Sequence, residues 1–131
     1  MIRAVVAFGS NVAPEVNIPA ALERLGRKHR IIARSPTVTT APIGPVSQQP
    51  DFQNGAVLVE TALDPEAFVL ELKSIEVALG REPGGDRWGP RTMDLDVVVW
   101  DGRVVDDDVH ERSWLTAAVA RLVGELPAPA P

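Results

Sequence analysis

Proline and glycine cut this chain into short pieces, and that punctuation limits the open architectures more than any other feature. From Ala41 to Asp51 the run Ala-Pro-Ile-Gly-Pro-Val-Ser-Gln-Gln-Pro-Asp carries three prolines and a glycine. Proline lacks the N–H that a ladder needs, so this run is read as a loop. Arg81 to Pro90 is a second Gly/Pro-rich loop. Strands and helices must fit between them.

Ile2 to Phe8 is β-branched and apolar and stops at Gly9-Ser10-Asn11, which predicts a buried strand ending in a tight turn. A helix is expected next, capped by Asn17 with Pro19 in its first turn. Ile18, Leu22 and Leu25 mark its apolar face, and Glu23, Arg24, Arg27 and Lys28 its polar one. Ile31 to Thr40 carries enough Ile, Val and Thr for a second strand, and Asn54 to Leu63 for a third, with Val57 and Val59 on one face. Asp64-Pro65-Glu66 predicts a helix start, Phe68, Leu72, Ile75 and Leu79 one apolar face, and Gly80 the C′ position.

Met93 to Trp100 predicts a further strand, Asp101-Gly102 a hairpin turn, and Arg103-Val104-Val105 a short return. A last helix is expected from Arg112 to Val123, and residues 127–131 as a frayed tail. The order β-α-β-β-α-β places the chain in the α+β class. The expected fold is a ferredoxin-like sandwich, a mainly antiparallel sheet with helices packed on it, plus an extra hairpin and a C-terminal helix. At 131 residues it has the length of one domain, expected over residues 1–126, and can bury roughly two-thirds of its unfolded surface.

Charge and cysteine usage narrow the function. Thirteen Lys and Arg against eighteen Asp and Glu leave a net charge of −5, which disfavours nucleic-acid binding. Without cysteine, and with two histidines, thiolate chemistry is excluded and a zinc set is poor, so any metal would be held by carboxylates. The apolar stretch after Arg3 is too short for a membrane span. A cytoplasmic protein is expected, a monomer with a dimer left open.

The densest chemistry lies in Arg87-Trp88-Gly89-Pro90-Arg91-Thr92-Met93-Asp94-Leu95-Asp96. Residues two apart in a strand share a face, so Asp94 and Asp96 project together, about 7 Å apart along the chain. Two such carboxylates repel unless a cation sits between them, and Mg²⁺ takes hard oxygen ligands together with substrate phosphates. Arg81, Arg87 and Arg91 flank the pair, and guanidinium forks suit phosphate oxygens, the parts a phosphoryl-transfer site needs. The alternative is a solvated salt-bridge cluster in which the arginines pair with the aspartates. No Walker A run, nucleophile elbow or His-Glu-x-x-His helix occurs.

With these residues on view, the chain resembles 6-hydroxymethyl-7,8-dihydropterin pyrophosphokinase, a family of folate biosynthesis. The likeness rests on the Arg87 to Val97 segment, on Gly9-Ser10-Asn11, on Thr40-Ala41-Pro42-Ile43-Gly44-Pro45 and on Pro50-Asp51-Phe52-Gln53-Asn54, in the family's order and spacing. It runs continuously to near Val105 and loosely through the last helix. It implies transfer of pyrophosphate from ATP to 6-hydroxymethyl-7,8-dihydropterin, giving AMP and the dihydropterin pyrophosphate.

In that likeness Asp94 and Asp96 would bind two Mg²⁺ ions, and Arg81 and Arg91 would complete the catalytic set by neutralising charge. Lys73, Glu76, Trp88, Val97, His110 and Arg112 would join Arg81 and Arg91 around ATP. Thr40, Ile43, Phe52, Asn54, Trp88 and Trp114 would hold the pterin by stacking and edge hydrogen bonds. For Glu76 a solvated helix position stays open, and for Phe52 and Trp114 ordinary core packing. The chain departs from the family at Pro83 and Gly84, at Lys73, and in a shortened connection from Gly102 to His110 that carries Asp106, Asp107 and Asp108.

Overall fold

The computed structural model describes residues 1–42, 49–80, residue 90, 92–124 and 128–129. Strand β1 spans Ile2–Ser10, two residues further than the β-branched run predicts. Gly9 stays in the ladder because its neighbour needs the room: a Cβ there would lie 2.6 Å from Asn54 Oδ1. Helix α1, Pro14–Lys28, starts one turn before the expected Asn17 cap. Proline at the first helical position gives up an N–H that has no partner anyway, while Ala13 turns the chain at φ 42°. Asn17 instead donates its amide to the Val12 carbonyl at 2.6 Å. Pro19 therefore lies inside the helix, not in its first turn.

The single strand expected over Ile31 to Thr40 is two: β2, Arg30–Arg34, and β3, Val38–Thr40. Pro36 cannot donate to a ladder, and Ser35 bridges the break. Its N–H donates to the Ala56 carbonyl and its Oγ accepts the Ala56 N–H, both at 2.9 Å. β4 runs Phe52–Thr61, and α2, Pro65–Ala78, is capped by Asp64 accepting the Ala67 N–H at 2.8 Å. Gly80 follows with φ 102°.

β5, Asp94–Trp100, turns at Asp101 and Gly102, both with positive φ as a type I′ hairpin requires, into β6, Arg103–Val104. A short helix α3, Asp108–Glu111, absent from the sequence reading, begins where Asp106 Oδ1 accepts the Asp108 N–H. α4 spans Ser113–Val123. Within the stretch expected to fray, β7, Ala128–Pro129, pairs in parallel with β6.

The sheet order is β2-β4-β1-β5-β6-β7, with β3 extending the β2 edge of β4. The pairings of β1 through β6 are antiparallel, the ferredoxin-like arrangement in which β4 lies between β1 and β2. One face packs Val6, Phe8, Val57, Val59 and Leu95 against Leu22 and Leu25 of α1 and Phe68, Leu72 and Ile75 of α2. The opposite face packs Val5, Ala56, Leu58, Val98 and Val99 against Leu115, Ala118 and Val119 of α4. Among the described residues no helix is long and apolar enough to cross a membrane.

Candidate active site

The face under α4 is only partly covered, and its open end is where the sequence-derived residues meet. Side chains alternate across a strand. Since Ala56 and Leu58 face α4, so do Asn54 and Phe52; since Leu95 faces the other helices, Asp94 and Asp96 face α4 as well. Register brings them together. Gly9 is the partner of Asn54 on β4 and of Asp94 on β5, and Ala7 is the partner of Ala56 and of Asp96. With neighbouring strands about 4.8 Å apart, Asn54 and Asp94 stand about 10 Å from each other across a floor of Gly9 and Ala7.

On the β4 side, Thr40 pairs with Phe52 and Val38 with Asn54. The Asn54 amide donates to Thr40 Oγ1, which leaves its carbonyl oxygen toward the space that a Gly9 side chain would fill. Phe52 is half-buried, and so is Trp114, which packs at the margin of the α4 cluster together with Ala7. Trp114 is thus neither a core residue nor a free surface one.

The end of β1 ties both borders of this floor. Buried Ser10 has its Oγ 2.7 Å from the Thr92 carbonyl oxygen, just before β5. Buried Asn11 donates to Gln49 Oε1 at 2.9 Å and to the Pro50 carbonyl at 3.0 Å, just before β4. Taken by themselves, these residues predict a tight turn, and the resemblance adds only that the segment matches the family. The polar pair after an apolar run was a signal of anchoring, but its partners are 38 to 82 positions away.

The acid pair is strained electrostatically. Asp96 is pushed up to about 7 from an ordinary 3.8, first by desolvation, then by the charges of Asp94, Glu76 and Asp106, and by a hydrogen bond with Asp94. Asp96 keeps an exposed face, so its desolvation is incomplete and the repulsion between carboxylates is the more dependable cause. A divalent cation between the two carboxylates would relieve that repulsion. Two hard oxygen donors fit Mg²⁺, which keeps waters and takes substrate phosphates for the rest of its shell. Among the described residues no group of three or more acidic, His or Cys residues that could hold a metal occurs.

Glu76 is not solvated. It is 6% exposed, and its Oε2 accepts the Leu95 N–H at 2.7 Å, between the two aspartates. Lys73, one turn earlier, is exposed. The Val97 side chain packs toward α1 and α2, away from the acid pair, so only its backbone could meet a ligand on that face. His110 is exposed on α3, and half-buried Arg112 lies 3.4 Å from Asp108. Ile43, Arg81, Trp88 and Arg91 lie outside the described residues, as do Pro83 and Gly84. Asp106, half-buried and close enough to burden Asp96, was not among the expected site residues. The run of three acids was its visible signal.

The model of the 7,8-dihydro-6-hydroxymethylpterin-pyrophosphokinase (HPPK) family matches residues 5–124. A 2-amino-4-hydroxy-6-hydroxymethyldihydropteridine pyrophosphokinase of Pseudomonas aeruginosa is 40% identical over 79% of this chain and 65% of its own length. Proteins of the same name from Methylorubrum extorquens and Haemophilus influenzae are 35% and 30% identical over 96% and 98% of this chain, and over 85% and 86% of theirs. The chain thus spans just under two-thirds of the first relative and most of the other two.

Proposed function

The chain belongs to the 7,8-dihydro-6-hydroxymethylpterin-pyrophosphokinase family, ATP-using enzymes of folate biosynthesis, and we propose that its own residues perform that family's transfer. In this reading the hydroxymethyl oxygen of 6-hydroxymethyl-7,8-dihydropterin attacks the β-phosphorus of ATP. The new O–P bond forms as the bond from that phosphorus to the α,β-bridging oxygen breaks. AMP leaves, and the hydroxyl proton passes to solvent.

The observation that carries the reading is the double pairing of Gly9. It puts an amide suited to a heterocycle edge and an acid pair suited to a charged triphosphate on one sheet face. Phe52 and Trp114 supply stacking faces, Asn54, oriented by Thr40, receives a donor of the pterin edge, and Ile43 adds a backbone contact. Asp94 and Asp96 would hold Mg²⁺, two ions in this reading, whose positive charge would offset that of the triphosphate. Arg81 and Arg91 meet the transferred group, while Lys73, Trp88, His110, Arg112 and the Val97 backbone border the nucleotide. Residues 1–126 act as one domain, in a cytoplasmic monomer.

Separate binding of the two substrates tests this division. By calorimetry, Asn54→Ala loses pterin affinity and keeps Mg²⁺-dependent binding of α,β-methylene ATP; Asp94→Asn does the reverse. Loss of both ligands in each folded variant would contradict the two-sided site. A second reading, a pterin-binding homologue without turnover, draws on Asp106, whose charge adds to the repulsion at Asp96.

A further inference from the structure

We propose that Glu76 is a positioning residue for the acid pair: by accepting the Leu95 N–H it closes the open edge of β5 and fixes the backbone from which Asp94 and Asp96 project. The inference rests on the reading of those two aspartates as metal ligands. It assigns Glu76 a role other than nucleotide contact.

On one side, β5 is bordered by β1 from Asp94 to Trp100. On the other side β6 pairs with Val99 and Trp100 alone. Among the described residues no strand borders Asp94, Leu95 and Asp96 there. In an antiparallel ladder alternate residues turn their N–H groups to opposite sides. The Leu95 N–H, spent on Glu76 at 2.7 Å, is the one that faces the unbordered side, while Asp94 and Asp96 pair with Gly9 and Ala7 on the other. The carboxylate of Glu76 therefore stands where a neighbouring strand would present a carbonyl.

Helix α2 makes this a firm support. Phe68, Leu72 and Ile75 are buried against the sheet, so the helix cannot slide without opening the core, and Glu76 follows Ile75 directly. A charged acceptor binds an N–H more strongly than a neutral one. Placing a third charge beside two aspartates is unfavourable, and a leucine or methionine would pack in the same volume without that cost. The carboxylate is explained if the position of Leu95, midway between the acids, is what it secures.

The test compares Glu76→Met, which fills the space without an acceptor, with Glu76→Gln, whose amide oxygen can still accept the Leu95 N–H. Both are read in ¹⁵N-labelled protein by hydrogen exchange at the Leu95 amide. Mg²⁺-dependent binding of α,β-methylene ATP and pterin binding are read by calorimetry. In Glu76→Met the Leu95 amide exchanges at least about ten-fold faster and nucleotide affinity falls about 10-fold or more, as for other outer supports of metal ligands, with pterin affinity kept. Glu76→Gln restores Leu95 protection and recovers most of the lost nucleotide affinity.

Wild-type nucleotide affinity in folded Glu76→Met overturns the inference. So does a Glu76→Gln protein with protected Leu95 and nucleotide binding as weak as in Glu76→Met, since charge would then be the function. If Glu76→Met does not fold, Glu76→Gln decides by the same criterion against wild type. Failure of the wild-type protein to bind the Mg²⁺ nucleotide would instead overturn the metal reading, an outcome the Leu95 exchange rates distinguish.

Discussion

Asn54 and Asp94 flank a single glycine: both are register partners of Gly9, one on β4 and the other on β5. The distance between the amide proposed for the pterin edge and the first acid is therefore set by strand spacing, the least adjustable dimension of a sheet. A side chain at Gly9 would intrude on this floor. Its Cβ would fall 2.6 Å from Asn54 Oδ1, the end of a side chain that can turn away. Gly9→Ala is expected to leave the melting temperature close to wild type while pterin affinity falls about ten-fold, roughly 1.4 kcal/mol. Calorimetry with pterin alone measures this; unchanged pterin affinity would remove Gly9 from the site.

The acid pair carries charge rather than fold. Asp94→Asn and Asp96→Asn each are expected to abolish turnover while circular dichroism and pterin binding persist, because each would remove a proposed metal ligand from an accessible face. Activity like wild type in either folded variant would contradict the metal assignment.

Asp96 also predicts a pH dependence. The unfolded chain loses this proton near 3.8, whereas the folded chain keeps it up to about 7. Between those values the folded state binds more protons, so this group's contribution to stability is full below the lower value and is lost as pH rises through the upper one. Metal-free wild type is expected to lose melting temperature from about pH 4 to about pH 7 relative to Asp96→Asn, and to level off above. Mg²⁺ affinity of the wild type rises over the same window as the carboxyl deprotonates. Parallel melting profiles for the two proteins would refute the shift.

Gly55 tests packing apart from chemistry. A Cβ there would lie 2.4 Å from Phe8 Cζ and 3.0 Å from both Cε atoms. Phe8 is a buried ring with the Arg34 guanidinium 5.4 Å from its centroid. Gly55→Ala is expected to destabilise the fold by about 1–3 kcal/mol, the usual cost of overpacking. Urea unfolding reads the loss, and substrate affinities of the folded fraction stay unchanged.

Local signals in the sequence account for much of this fold. β-branched runs place β1, β4 and β5, and Asp64 with the Phe68, Leu72, Ile75 periodicity places α2. The misread positions are those settled by distant partners. Asn17 looks like a cap until Pro14 is seen to begin α1. Ser35 gives no hint that its hydroxyl will stand in for a ladder beside Pro36. Gly9 reads as a turn because nothing local reveals strands on both its sides. The Asp94 and Asp96 pairing is legible from period two alone; Glu76 is named by the resemblance, but its bond to the Leu95 N–H is not legible, since the open edge it fills exists only after β6 stops at Val104.

The most direct test of the account is nucleotide analysis after incubating the purified protein with ATP, Mg²⁺ and 6-hydroxymethyl-7,8-dihydropterin, beside a control without pterin. The account predicts AMP that appears only with pterin, in step with the pterin pyrophosphate and without ADP. Folded protein that binds pterin but forms no AMP, or that forms ADP, would contradict it.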